Sequence, residues 1–489
     1  MIPKSFILGS AVNAVFDIID DATTGNTADP LVPEAWVREA LFQTSQKRVA
    51  SQLVWTDFSD EVARFGQIIH THRPADMVAT RKRDGQDVKT SSATVENVDV
   101  KLNQWIHQSF IIYDAEQSLT FKQLIEMHLV PAAKSVAQMV DEVICTQVYQ
   151  FIGASEAGSL DAAVTKSTII NTRRKLEKNN VDPDGMYFLV GPDSKAQILS
   201  IEGLTKVNEA GDGGMALRKA EIGELFGFIF FMTQNVPCVA EMSAASPDPV
   251  LIDNASGYPK GHTGNIDLDG IVTALEVGQW IKIAGEGAPR RIATVTALAA
   301  GAQTITLEQA LISKVQDNAA VDVYPCQDTA AQFDASYIDD IQTAAFTDEL
   351  QRGQLMSFGN LQGVYGLVTS PETVEVNGAK AAYNAAIHAT LDNPLEVTVA
   401  AATKACVGPD GNYNFAFHRN AVALVSRPPA PPRNGMGVMS FAAAFEGLAM
   451  RATMTYDGVK QGTRVTLDTF IGVKTMDDRL GSAVYANAD

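Results

Sequence analysis

Three stretches of the sequence predict an α+β fold that carries an inserted small β-barrel-like domain. Residues 118–152 keep apolar residues at helical spacing, and residues 65–113 switch to a period of two. Residues 262–325 break into five short β-like runs separated by turns containing Gly, Ala or Pro. A helix buries one stripe and a strand one face, so the period of the apolar positions names the element. The chain has 489 residues, room for about three domains at ~150 residues each, and 46% are hydrophobic, enough for sizeable cores.

The first 33 residues read as an arm, an apolar helix-like piece followed by the polar DDATTGNTADPLVP. Pro33 suits a first helical turn, and Trp36, Val37, Ala40, Leu41 and Val49 could share one buried stripe after it. GQIIHTHRP and VENVDVKLNQWIHQSFIIYD then read as two long strands, joined through the charged ATRKRDGQDVKTSSAT with a turn signal at Asp84-Gly85. A two-stranded ribbon with a wet basic tip has no core of its own, so it needs another surface to lie on. Residues 118–152 form the clearest helix, which Pro131 should kink or divide. A second amphipathic helix covers 161–180, DPDG closes it, and MYFLVGP is a short buried strand. GDGG at 211–214 is a loop, a helix-like stretch follows, and FGFIFFMTQNVP is a strand.

The five runs of the insert are NIDLDGI, QWIKIAG, PRRIATVTAL, QTITLEQAL and AAVDVYP. A helical and mixed region is expected from there to about 410. NFAFHRNAVALVSRPPAPP, 414–432, alternates aromatic and apolar residues into His418, Arg419 and Asn420 and runs on through AVALV to a proline stop. Residues 447–474 read as a closing hairpin with Asp457-Gly458 near its turn.

The formal net charge of −19 argues against a protein built to coat phosphate backbones, because that affinity comes from Lys and Arg. The basic runs Arg81-Lys82-Arg83 and Arg173-Arg174-Lys175 offer phosphate grips, yet in so acidic a chain they read as inter-subunit ion pairs or solvated faces. Cys145, Cys238, Cys326 and Cys406 are widely spaced with no CxxC pair, which predicts a reduced cytosolic protein with ordinary buried thiols. The opening MIPKSFILGSAVNAVFDIIDD has the outline of a secretory leader, but Asn13 interrupts it and Asp17, Asp20 and Asp21 follow. No apolar run is long enough to span a bilayer, so no membrane partner is expected.

No P-loop, G-x-S-x-G elbow or HExxH occurs. NIDLDGIVTALE copies the spacing of a calcium loop through Asn265, Asp267, Asp269, Gly270 and Glu276, but its flanks are not helices, and an exposed hairpin with outward acids is expected instead. His70 and His72 would share a strand face without a third ligand at suggestive spacing. His418 has no companion catalytic motif, and a general base needs a partner within reach. The trio His418, Arg419 and Asn420 is therefore expected to be the polar entrance to a buried strand. No catalytic, cofactor or metal residue is assigned.

FAFHRNAVALVSRPPAPP resembles the strand before the C-terminal part of tailed double-stranded-DNA bacteriophage major capsid proteins, in the short-tailed branch with an inserted β-domain. LVPEAWVREAL, VWTDFSDEVARFGQIIHTHRP, the ribbon, the long helix, FGFIFFMTQNVP and the closing hairpin match in the same order, with residues 330–410 matching least. The resemblance implies the major capsid protein fold, divided as an N-terminal arm and helix (1–64), an extended ribbon or E-loop (65–117) and a peripheral domain with a spine helix (118–184). Axial segments at 185–244 and 329–410 flank the inserted β-domain at 245–328, and peripheral strands at 411–489 complete the chain. It implies pentamers and hexamers of an icosahedral shell around double-stranded DNA, held without sequence-specific binding, in a virion capsid assembled in the host cytoplasm. A scaffolding protein, a portal and a decoration protein are the further partners it suggests. The ribbon tip, Arg81, Lys82, Arg83, Asp84 and Lys89, becomes an inter-subunit contact, and no motif supports a crosslink from Lys82 or Lys89. The reading from the residues alone leaves open a soluble cytosolic multidomain enzyme or carbohydrate-binding protein with a β-accessory domain.

Overall fold

The computed structural model describes residues 33–56, 68–73, 79, 81–85, 87, 96–116, 125–201, 222–240, 250–335, 341–344, 346, 350–359, 363–367, 375–376, 379–380, 387–432, 438–445 and 447–488. The expected arm, the helix-like stretch after GDGG, and Lys89 lie outside them.

Helix α1 (Pro33–Lys47) begins at the expected proline and buries Trp36, Val37, Ala40 and Leu41 on one stripe. Strands β1 (Ile68–Arg73) and β2 (Glu96–Lys101) pair antiparallel as the ribbon, and Gly85 takes the left-handed conformation (φ 80°) that the Asp84-Gly85 signal requires. Strand β3 (Gln104–Tyr113) continues into the body. The long helix then divides as Pro131 demands: a π-helical turn at Ile125–Leu129, helix α2 (Val130–Cys145) with the proline in its first turn, and a 3₁₀ stretch at Thr146–Phe151. Its last turns are buried all round, so its acids need partners. Asp141 accepts from Val49 N at 2.6 Å and from Ser51 N at 3.0 Å, and Glu142 receives a two-pronged Arg352.

Strand β4 (Glu156–Gly158) leads to α3 (Lys166–Lys178), which starts later than the pattern suggests because Thr165 and Thr168 form a reciprocal cap. Strand β5 (Met186–Val190) and helix α4 (Pro192–Leu199) follow. Of FGFIFFM, Phe226 and Gly227 form the turn of a hairpin that pairs the preceding β6 (Glu224–Leu225) with β7 (Phe228–Met232), and β8 (Cys238–Val239) ends the stretch.

The insert is a closed barrel of β9 (Val250–Ile252), β10 (Ile266–Asp269), β11 (Trp280–Ile283), β12 (Pro289–Val295), β13 (Gln303–Leu307) and β14 (Ala320–Val323). All five expected runs are strands, and a sixth, β9, closes the ring between β10 and β14. Ile252, Ile266, Leu268, Ile283, Ile292 and Ile305 fill it. The alternation is clean in β10 but lost in β11, where every residue is buried. Its outward side chains face the body instead of water.

The expectation of a helical and mixed region after the barrel does not hold: the described residues there form strands. These are β15 (Cys326–Asp328), β16 (Ile341–Thr343), β17 (Leu355–Phe358), β18 (Val364–Gly366), β19 (Glu375–Val376), β20 (Ala379–Lys380), β21 (Ile387–Ala389) and β22 (Lys404–Val407). The reduced-thiol expectation is also corrected. Strands β15 and β22 set Cys326 opposite Cys406, with Cα atoms 4.1 Å apart, and the pair is a disulfide. Their 80-residue separation concealed a register that only sheet pairing creates. Cys145 and Cys238 are free thiols.

The last segment builds both large sheets. Strands β23 (Gly411–His418), β24 (Val422–Arg427), β25 (Val438–Phe445), β26 (Leu448–Asp457), β27 (Gly462–Thr475) and β28 (Gly481–Ala486) follow in order. Strands β23 and β28 enter a seven-stranded sheet, ordered β4-β28-β23-β5-β7-β6 with β8 beside β23, and α3 packs on it through Ile169 and Leu176. The 14-residue β27 centres a five-stranded sheet, paired with β3 on one side and with β26 and β24 on the other. Trp36 and Phe110, ring centroids 6.0 Å apart, lie in the core that α1, α2 and this sheet share.

Candidate functional site

Among the described residues the ribbon is anchored at its base. Ile69, Val100 and Leu102 pack with Ala423, Val425 and Phe470 at its base. At its tip Arg81, Lys82, Arg83, Asp84, Gly85 and Asp87 are all exposed. His70 on β1 lies 2.6 Å from Asp99 Oδ1 on β2, an exposed cross-strand pair, while His72 sits opposite Asn97 in register.

His418, Arg419 and Asn420 lie where the chain leaves one large sheet for the other. Residues Arg419–Ala421 form a 3₁₀ turn between β23 and β24, and His418 Nδ1 accepts from Asn420 N at 3.2 Å. Arg419 N donates to Gly185 O at 3.2 Å. The return crossing, from β27 to β28, abuts it: Met476 N donates to Ala421 O at 2.8 Å, and Asp477 caps a second 3₁₀ turn at Asp478–Leu480. Arg419 and Asn420 are exposed, and the turn presents no nucleophile or carboxylate to the imidazole among the described residues. Beyond it, Val422, Ala423 and Leu424 are fully buried.

The seam between barrel and body holds charges that the sequence did not advertise. Arg290, fully buried on β12, donates to both oxygens of Glu156 on β4 at 3.1 and 2.9 Å and to Glu286 Oε1 at 2.8 Å. Burial opposes its charge, but the two carboxylates outweigh that and hold its pKa above the ordinary arginine value. Burial pushes the Glu286 carboxyl up, with Arg290 pulling it down. Lys282 reaches Asp161 at 3.0 Å and Asp410 at 3.7 Å, and Trp280 Nε1 donates to Ser357 Oγ at 2.9 Å. Trp280 and Lys282 are the outward residues of β11, and Arg290, opposite Ile281 in register, reaches Glu156 from β12, so all three tie the barrel to the body. Two adjacent arginines in the run PRRIATV were the one trace of this seam in the sequence.

No family model and no curated protein matches the chain. Solved structures do resemble it. One, from Mycobacterium phage Che8, is 11% identical, covers 89% of this chain and 90% of that one, and has a TM-score of 0.39. A capsid structure of the cyanophage P-SCSP1u is 8% identical, with 88% and 92% covered and a TM-score of 0.37. The asymmetric unit of the bacteriophage PhiM1 mature capsid is 10% identical, with 86% and 82% covered and a TM-score of 0.36.

The remaining candidates of the sequence are dispersed by the fold. Asn265 precedes β10, Asp267 accepts from Thr304 Oγ1 at 2.7 Å, and Glu276 pairs with Lys404 at 3.3 Å. A strand at Ile266–Asp269 cannot wrap an ion as a loop does. Among the described residues no group of three or more His, Cys, Asp or Glu could hold a metal, and no helix is long and apolar enough to cross a membrane.

Proposed function

We propose that the chain is a major capsid protein, a subunit without catalysis that assembles with its own copies into pentamers and hexamers of an icosahedral shell around double-stranded DNA. The ribbon carries this reading. Strands β1 and β2 pair with each other and with no third strand among the described residues, and the charged tip is exposed. A lone two-stranded ribbon is marginal in water, and its tip gains a second surface only on a neighbouring copy. Arg81, Lys82, Arg83, Asp84 and Lys89 are then its inter-subunit contacts, and His418, Arg419 and Asn420 are structural.

The collinear sequence resemblance supports the same reading and extends it. In this assignment α2 is the spine of a peripheral domain, the barrel is the inserted domain, and the axial segments flank it. A scaffolding protein and a portal join the assembly, a decoration protein can cover it, and the protein resides in the virion capsid after assembly in the host cytoplasm. Negative-stain microscopy with sedimentation of the purified chain tests the proposal. Closed megadalton particles or capsomers are expected. A monodisperse small oligomer that turns over a substrate would overturn it.

A further inference from the structure

The turn between β11 and β12 is pressed directly onto the body. A Cβ at Gly287 would come within 1.7 Å of Ser159 Oγ, and Gly287 O accepts from Leu160 N. The same turn brings Glu286 to Arg290, while Glu156 reaches the arginine from β4. The side chains of Arg290, Glu156 and Glu286 are 0%, 1% and 0% exposed. One guanidinium thus faces two carboxylates in a place closed to solvent.

Burying an uncompensated charge is so unfavourable that a carboxylate there takes up a proton instead. Three of the four carboxylate oxygens have donors. Glu156 Oε1 accepts from Arg290 and from Gly153 N, and its Oε2 accepts from Arg290. Glu286 Oε1 accepts from Arg290 Nε at 2.8 Å and from Ile312 N at 3.0 Å. Glu286 Oε2 is buried with no hydrogen-bond partner among the described residues. A proton on that oxygen removes the excess charge without displacing a donor.

The other titratable groups of the surroundings do not supply the missing positive charge. Tyr485 of β28, opposite Gly158 in register, is a neutral phenol whose pKa burial raises. Lys282 pairs with Asp161, Asp322 and Asp410. Lys175 lies on α3, which packs on β4, and forms no ion pair among the described residues.

We propose that docking of the barrel on the body is a pH-sensitive switch, held closed by one proton on Glu286. In the docked state burial pushes the Glu286 carboxyl up from 4.5; Arg290 and Ile312 N pull it down, and the Glu156 charge adds to the rise. Once the barrel is released, the carboxyl meets water and leaves Glu156 behind, and its proton affinity returns to the ordinary value. Docking and proton uptake therefore favour each other. This part of the seam's stability is complete below pH 4.5 and is lost as pH rises through the raised value. The switch acts within one chain and does not depend on the capsid reading.

Amide hydrogen exchange of the full chain between about pH 5 and pH 8, corrected for the intrinsic pH dependence of exchange, tests the switch. Leu160 N, which donates across the seam, should lose protection as pH rises, by up to about tenfold per pH unit, the limit for one proton. Ile252 N, which donates to Ala319 O within the barrel, should show a shallower slope. Glu286→Gln keeps an acceptor for Arg290 and Ile312 N but carries no charge, so it should hold Leu160 N protected throughout and flatten the profile. Glu156→Gln removes the excess charge from the body side and should also flatten it, which keeps the test decisive if the first variant does not fold. A parent whose Leu160 protection does not change with pH overturns the inference. So does a Glu286→Gln chain that keeps the parent's slope or whose seam is open at pH 5. Equal slopes at Leu160 N and Ile252 N would mean unfolding of the whole unit, and they overturn it too.

Discussion

Asp392 shows what a single buried carboxylate does to this protein. Its Oδ1 accepts from Gly366 N at 2.9 Å and from Asn393 N at 2.8 Å, yet burial dominates and raises its pKa from 3.8 to about 6. Because the folded pKa lies above the unfolded one, the native state holds the proton more tightly between them. Its contribution to stability is complete below pH 3.8 and is lost as pH rises through about 6. Burial also raises Asp141, Glu142 and Glu286, so all four act in one direction. The melting temperature should therefore be higher at pH 5 than at pH 7, and Asp392→Asn should narrow the gap; a parent that melts higher at pH 7 contradicts this. At the crossover between the sheets, His418→Ala removes one capping acceptor and should lower stability by about 1 kcal/mol. Ala423→Asp, which places a charge at a fully buried position, should leave no folded protein. A thermal melt of each variant decides, and a folded Ala423→Asp variant would show that β24 is not packed as described.

Two elements carry predictions of their own. Deleting Arg81 to Val88 should leave a folded, soluble chain, since the described tip residues bury nothing in their own subunit. Stable particles should be lost, and normal particles from the deleted chain would remove the ribbon from the assembly. The disulfide between β15 and β22 closes an 80-residue separation, for which chain entropy alone gives about 4.5 kcal/mol. A reductant, or Cys326→Ser with Cys406→Ser, should lower the melting temperature, while thiol titration of the unreduced chain finds only Cys145 and Cys238. Four titratable thiols with unchanged melting would show that the pair is not bonded.

For the molecule as a whole, the decisive joint is between barrel and body. Arg290 neutralises two buried carboxylates, one from each side of the seam, so removing it strands both. Breaking such a buried cluster costs about 3–5 kcal/mol. In Arg290→Met that loss should fall on docking, because Glu156, whose two oxygens Arg290 holds, belongs to the body. Hydrogen exchange should speed up at Leu160 N, which donates to Gly287 O across the seam, while barrel-core amides stay protected. Uniform exchange of barrel and seam together would mean that the barrel has no stability apart from the body.

Local rules were enough for the elements whose cause is local. Pro33 and Pro131 set helix positions, Gly85 supplied the left-handed turn, and period-two runs marked five barrel strands, because each depends on residues a few positions apart. The sixth strand was missed because three residues, Val250–Ile252, give no period to read. The region after the barrel was misjudged for a related reason: its strands are mostly two to four residues long, and their pairing across the chain, not their pattern, makes them strands. His418, Arg419 and Asn420 stood out in sequence as a polar break, but one strand cannot show that its two halves belong to different sheets. Which cysteine faces which, and that Glu156 meets Arg290, are likewise relations between residues 80 and 134 positions apart. Sequence determined the pieces and their order through short-range sterics and apolar spacing. Only the tertiary structure decided the pairings, because register and burial are set by what the chain meets on its return.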